Sequence, residues 1–136
     1  MSVANISQIF ISNMTKEDIE HVVQIEAEAY GEHHWSKSSF YDELQNNLAK
    51  YYVAKTSDGE LVGYAGTWHI IDEGHITTIA VKKSYLRRHI GEAIIVKIIE
   101  DCYAEGIKYL TLEVRVSNGN VILCLTFTYT LFRRNV

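Results

Sequence analysis

Two stretches of this sequence hold residues whose types and spacing could do chemistry. In the first, Lys82, Lys83, Arg87 and Arg88 crowd between Val81 and Gly91. They follow the β-branched, apolar run His75 to Val81 and precede helical spacing that begins at about Ile90. A strand that feeds a helix through a basic turn presents unbonded backbone N–H groups and the positive end of a helix dipole. That combination suits an anion, most simply a phosphate, and the several donors together suit a pyrophosphate. A solvated basic turn explains the same charges. In the second stretch, Glu113 lies inside the strand-like run Tyr109 to Val116. Strand alternation puts Glu113 on one face with Thr111 and Arg115, opposite Leu112 and Val114. Its carboxylate is either the ion-pair partner of Arg115 or a general base whose pKa partial burial raises.

The elements that would position these groups can be read from the pattern. Ser2 to Ser12 alternates loosely and reads as a strand. Thr15 reads as an N-cap, with Asp18 reaching back in a capping box. Ile19, Val22, Val23, Glu26 and Tyr30 follow, their apolar members marking one helix face, and Gly31 ends that helix. Trp35-Ser36 opens a second short helix, with Phe40, Leu44 and Leu48 turned inward. Tyr51 to Lys55 is a strand, Ser57-Asp58-Gly59 a hairpin turn, and Leu61 to Trp68 the returning strand. Gly63 and Gly66 within it imply close backbone approach or a bulge. Asp72-Glu73-Gly74 reads as a turn into the strand at His75. A helix from about Ile90 to Glu105 closes at Gly106, and Tyr109 begins the strand that carries Glu113. The order predicts an α/β (α+β) domain: a mixed, mostly antiparallel central sheet flanked by helices.

The 136 residues are expected to form one domain, with 47% hydrophobic and 22% charged residues. A net charge of −4 argues against a direct nucleic-acid surface. The apolar run Val121 to Phe132 is too short and too rich in threonine for a membrane span. No secretory leader pattern opens the chain, so a cytoplasmic location is expected. Cys102 and Cys124 sit in apolar contexts and read as buried reduced thiols. None of the six histidines has metal-site spacing, so no metal is expected. Tyr30 and Trp35 fit core packing.

Several segments together resemble the GNAT superfamily of acetyl-CoA-dependent N-acetyltransferases, and more closely the bacterial ribosomal-protein-alanine N-acetyltransferases. They are Thr15 to Tyr30, Trp35-Ser36, Val62-Gly63-Tyr64, Ile79-Ala80-Val81, Arg87-Arg88-His89-Ile90-Gly91 and Thr111-Leu112-Glu113-Val114-Arg115-Val116-Ser117-Asn118. The resemblance implies that the strand ending Ile79-Ala80-Val81 splays from the strand carrying Glu113. It also implies that pantetheine pairs with the free edge of the first strand. The amides of Arg87, Arg88, His89, Ile90, Gly91 and Glu92 would take the pyrophosphate, and Asn118 would contact the coenzyme. Glu113 matches the family's general base, and a backbone N–H near Val81 would polarise the thioester oxygen. The implied acceptor is a protein N-terminal α-amine, an alanine of a ribosomal protein, approached by a monomer or weak dimer. The amine attacks directly, so neither cysteine is needed as a nucleophile.

The pattern also departs from that family. Leu86 stands where Gln or Arg is usual, and His89 where Gly allows positive φ. Similarity ends at about residue 118, and 119–136 form a divergent tail. Leu125 occupies the place of the family's proton-donating tyrosine, with Tyr129 the nearest phenol. The tail's composition predicts a strand rather than the family's helix. The sheet is therefore expected to lack its last strand or strands, as an altered or frame-shifted gene end would produce. These departures leave two alternatives: a coenzyme-binding but catalytically impaired remnant, or an enzyme acting on a small amine.

Overall fold

The computed structural model describes residues 8–118 and 121–130, with side chains as far as residue 112. Part of the expected first strand and the side chains beyond Leu112 thus lie outside the described residues. The elements run β1 (Ile9–Asn13), α1 (Ile19–Tyr30), α2 (Lys37–Leu44), β2 (Ala49–Thr56), β3 (Leu61–Ile70) and β4 (Glu73–Val81). Then follow α3 (Ile90–Ala104), β5 (Tyr109–Asn118) and β6 (Val121–Thr130). The strands lie side by side in chain order from β1 to β6. Every neighbouring pair is antiparallel except β4 and β5, which α3 connects in parallel. A parallel pair needs such a crossover, and the helix supplies it. The tail is β-structured, as its composition predicts.

Alternation along β2 and β3 splits the interior in two. Tyr51, Val53 and Tyr64 face α1 and α2 with Ile19, Val22, Ile25 and Phe40. Tyr52, Ala54, Val62 and Ala65 face α3 with Ile90, Ile94, Ile98 and Cys102. The capping box forms: the Thr15 N–H donates to Asp18 Oδ2 at 2.9 Å, and a 3₁₀ turn, Lys16–Asp18, leads into α1. Gly31 ends α1 with φ 57°. Ser36 caps α2, accepting the Ser39 N–H at 3.2 Å. Both strand glycines sit at irregularities. Gly63 flanks the shift between Ala54 and Lys55. Gly66 pairs with Thr78 while Thr67 pairs with Ile76, so Thr77 stands outside the ladder. A Cβ on Gly66 would overlap the Tyr51 ring.

Two expectations need correction. Leu48 does not turn inward; α2 ends at Leu44 and Leu48 is half exposed. The reversal before β4 comes at Ile71-Asp72, with Ile71 exposed at φ 55°, and Glu73 already pairs with Ile70. The apparent turn triplet misled because its Glu and Gly are strand residues here.

The α3 face carries a charged seam. Asp101 accepts from Lys50 Nζ at 3.1 Å and Tyr52 Oη at 2.9 Å, and Lys97 Nζ lies 3.3 Å away. Burial raises its pKa, but the bonds from Lys50, Tyr52 and Lys97 outweigh that and hold it below the usual value. A carboxylate lowered on folding contributes stability above its unfolded value, about 3.9, and loses it as pH falls through the lower folded value. Asp101→Asn is therefore expected to flatten the acid limb of a denaturation-against-pH profile below about pH 4. An unchanged acid limb would remove this assignment.

Candidate active site

β4 and β5 pair only from Glu73↔Tyr109 to Ile76↔Leu112. Beyond that point β4 stays with β3 as far as Val81, while β5 continues with β6 from Glu113↔Thr126 to Asn118↔Val121. A wedge-shaped gap therefore opens between them, and position 113 is the first residue of β5 beyond the shared ladder. The Lys82 N–H donates back to Val62 O at 2.8 Å. Alternation then turns the peptide groups of Val81 and Ile79 away from β3, toward the gap. The Ile79 carbonyl agrees: it accepts the Tyr30 hydroxyl at 2.8 Å rather than a strand N–H. Ala80 turns its peptide groups the other way and buries its methyl against the α1 side. An unpaired strand edge is a template for an extended, amide-bearing chain. An apolar cavity of about 290 Å³, lined by Ile76, Ile95, Ile99, Leu110 and Leu112, adjoins the point where the strands part.

At the far end of β4 the basic loop folds as a candidate anion cradle. Leu86 is extended, Arg87 has φ 63°, and His89 has φ 62° as the N-cap of α3. Left-handed residues in alternation turn successive N–H groups toward one side, the arrangement that binds anions. The first helical bond of α3 runs from the Ala93 N–H to His89 O at 3.0 Å. The N–H groups of Ile90, Gly91 and Glu92 therefore precede the ladder. A Cβ on Gly91 would meet only Val81 Cγ2 at 3.7 Å, an ordinary contact. The fold itself does not demand glycine there; an approaching ligand would.

His89 does not shut this cradle. It adopts the turn that glycine would, and its exposed ring lies with Nδ1 3.0 Å from Glu92 Oε2. Histidine tolerates the left-handed region better than bulkier residues, at a cost of about 1–2 kcal/mol. His89→Gly is expected to stabilise the fold by about 0.5–1 kcal/mol net of glycine's greater unfolded freedom. The same change should tighten coenzyme binding severalfold in calorimetry. Looser binding would mean that the imidazole itself holds the ligand.

The four cations are not equivalent. Lys82 Nζ is held by Glu60 at 2.6 Å, which raises its pKa. Tyr85 also donates to Glu60, at 2.8 Å. The Lys83 N–H donates to Glu28 at 2.6 Å. The Arg88 guanidinium lies over the Tyr85 ring at 5.2 Å. Lys82 thus braces the loop through its ammonium and Lys83 through its backbone N–H, while Arg88 packs on Tyr85. Sequence reasoning missed Glu28 and Glu60 as loop anchors, because nothing in their local pattern marks a contact to a distant segment.

Tyr30 proves to be a buried residue whose hydroxyl reaches β4, and Trp35 packs against Phe40 with centroids 5.5 Å apart and ring planes tilted by 47°. Cys102 Sγ lies 3.9 Å from His69 Nε2, and His69 Nδ1 lies 2.6 Å from Glu105. That layout resembles a nucleophile with its base and orienter. The thiol, however, is fully buried, and burial, with Glu105 and Asp101 nearby, pushes it up to about 11. It stays protonated at neutral pH and is no nucleophile. The side chains of Glu113, Asn118, Cys124, Leu125 and Tyr129 lie outside the described residues.

The family model for the acetyltransferase (GNAT) family matches residues 18–125. A Bacillus subtilis protein assigned as a ribosomal protein bS18-alanine N-acetyltransferase is 42% identical over 108 residues, covering 79% of this chain and 71% of its own. The Escherichia coli ribosomal protein bS18-alanine N-acetyltransferase is 29% identical over 128 residues, covering 92% and 84%. The crystal structure of the ribosomal-protein-S18-alanine N-acetyltransferase from Escherichia coli superposes with a TM-score of 0.71 at 28% identity, covering 82% of this chain and 70% of that one. The PaiA N-acetyltransferase of Thermoplasma acidophilum, solved with coenzyme A, has a TM-score of 0.68 at 18% identity, covering 82% of each chain, and shares the fold.

Proposed function

We propose, because this chain belongs to the acetyltransferase (GNAT) family, that it moves an acetyl group from acetyl-CoA to the N-terminal α-amine of a cytoplasmic protein. The acceptor we infer is an alanine of a ribosomal protein, the substrate class named for the similar Bacillus subtilis and Escherichia coli proteins. The observation that carries this reading is the parting of β4 from β5 after Ile76↔Leu112.

Acetyl-CoA supplies an activated thioester. The remaining roles fall to the chain. The Val81 N–H and C=O and the Ile79 N–H offer strand-like hydrogen bonds to the amides of a pantetheine arm. A gap-facing N–H near Val81 stabilises the oxyanion that develops when the amine adds to the acetyl carbon. The N–H groups of Arg87 to Glu92, with Arg87 and Arg88, hold the diphosphate. Glu113 takes the proton that the attacking nitrogen must lose, directly or through water. Asn118, farther along β5, contacts the coenzyme. The new bond is C–N, the broken bond is C–S, and the thiolate leaves.

The test is thiol release from acetyl-CoA with a peptide beginning in alanine, beside calorimetric binding of the coenzyme. Turnover with that peptide, and little with a polyamine, is expected. Faster turnover with the polyamine would transfer the proposal to a small amine. A second reading, coenzyme binding with little catalysis, draws on Leu125, which pairs in register with Val114 where the family has a phenol. Tight binding without turnover would select it. No binding at all would end both.

A further inference from the structure

Helix α3 carries two apolar rows. Ile90, Ile94, Ile98 and Cys102 are buried in the core. Ile95 and Ile99, four apart and so on one face, form a second row: Ile95 is half-buried and Ile99 exposed. Opposite them, Ile76, Leu110 and Leu112 form the strand side of the cavity of about 290 Å³. Ile76 and Leu110 are buried and make its floor, while Leu112, Ile95 and Ile99 make its rim. Every described lining residue is aliphatic. A polar guest would lose its hydration there with no hydrogen bond in exchange, so the cavity calls for an apolar one. An apolar cavity of about 150 Å³ holds a benzene ring, and this one has room for a longer hydrocarbon.

The position of the cavity selects that guest. Ile76 and Leu112 are the last registered pair of β4 and β5, so the cavity meets the gap at its apex. It does so on the α3 side, where Ile79 and Val81 also pack. The basic loop lies at the other end of the gap, beyond Val81. An arm held at that loop by its diphosphate and laid along the free edge of β4 points its thioester end at the apex. From Ile79, whose peptide groups turn to the gap, Ile76 is about 10 Å away along the strand. An acetyl methyl stops short of that distance; the tail of a medium-length acyl chain covers it.

We propose that this cavity is a binding site for acyl chains longer than acetyl, so that medium-chain acyl-CoA thioesters are donors as well. This rests on the reading of the gap as a coenzyme site. The bond changes are those of acetyl transfer. The amine nitrogen bonds the acyl carbon, the C–S bond breaks with its electron pair leaving on the thiolate, and the nitrogen's proton goes to Glu113. The tail adds binding in proportion to the apolar surface it removes from water.

Calorimetry with acetyl-CoA and octanoyl-CoA, without acceptor, tests the site. Octanoyl-CoA should bind at least about tenfold more tightly, a fraction of what its added methylenes would contribute if fully buried. Ile99→Trp fills the cavity from its exposed rim and should bring that ratio to about one, with acetyl-CoA affinity unchanged. Ile95→Phe narrows it one helical turn away and decides the matter if Ile99→Trp does not fold. Thiol release from octanoyl-CoA with an alanine-starting peptide should accompany binding. Equal affinity for the two thioesters overturns the proposal and leaves the coenzyme site standing. So does a ratio kept in both variants; if Ile99→Trp then dissolves a dimer seen by sedimentation, a second copy is the occupant. Tight binding of octanoyl-CoA without thiol release overturns the donor role. A wild-type chain that binds neither thioester overturns both readings.

Discussion

Glu113→Gln should lower turnover by about 10²–10⁴-fold, the usual contribution of a positioned general base, with the Kd for acetyl-CoA nearly unchanged. Glutamine keeps the shape and removes only the proton acceptor. The position supports so large an effect. β5 leaves the shared ladder after Leu112, so residue 113 is the first to stand at the gap. Leu112, the residue before it, packs with the α3 cluster. In the wild type, kcat/KM should rise with pH as the base ionises, and that acidic limb should be missing from the residual activity of the variant. Single-turnover rates with an alanine-starting peptide measure this directly. A loss below tenfold would make Glu113 a surface ion-pair residue, the other role its sequence context allows.

The second large effect is on stability. Phe40→Ala is expected to cost about 3–5 kcal/mol, against a total of about 5–15 kcal/mol for a domain. Phe40 is fully buried on α2. Its ring meets Trp35 at 5.5 Å and stands edge-on to Tyr51 at 6.2 Å and Tyr64 at 5.7 Å. Truncation would remove area and ring contacts together. It would also loosen Tyr64 and Trp35, the two donors to Glu26. Urea denaturation should show the midpoint fall. A midpoint loss equivalent to less than about 1 kcal/mol would mean that neighbouring rings refill the space.

Much of the fold was legible because its signals are local. The Thr15–Asp18 box, Gly31 and Gly106 at helix ends, and the switch from strand to helix between Val81 and Ile90 depend on residues a few positions apart. So does the β character of the tail. Leu48 and the turn at Ile71 were misread, since inward direction and turn position depend on what the chain meets next. The basic loop was legible in composition but not in conformation. Basic residues before a helix are visible in the sequence; that His89 reaches φ 62° despite its Cβ is decided by the chain around it.

By itself the sequence determined the order of elements, the helix caps, the basic loop and a carboxylate inside an apolar strand. Propensity and periodicity act over one or two turns, so those features need no distant partner. Only the tertiary structure decided where β4 and β5 part, that Glu60 claims Lys82 and that Glu28 claims the Lys83 N–H. It alone placed Glu26 between Trp35 and Tyr64. These depend on hydrogen bonds between residues far apart in the chain, whose directions no local pattern encodes.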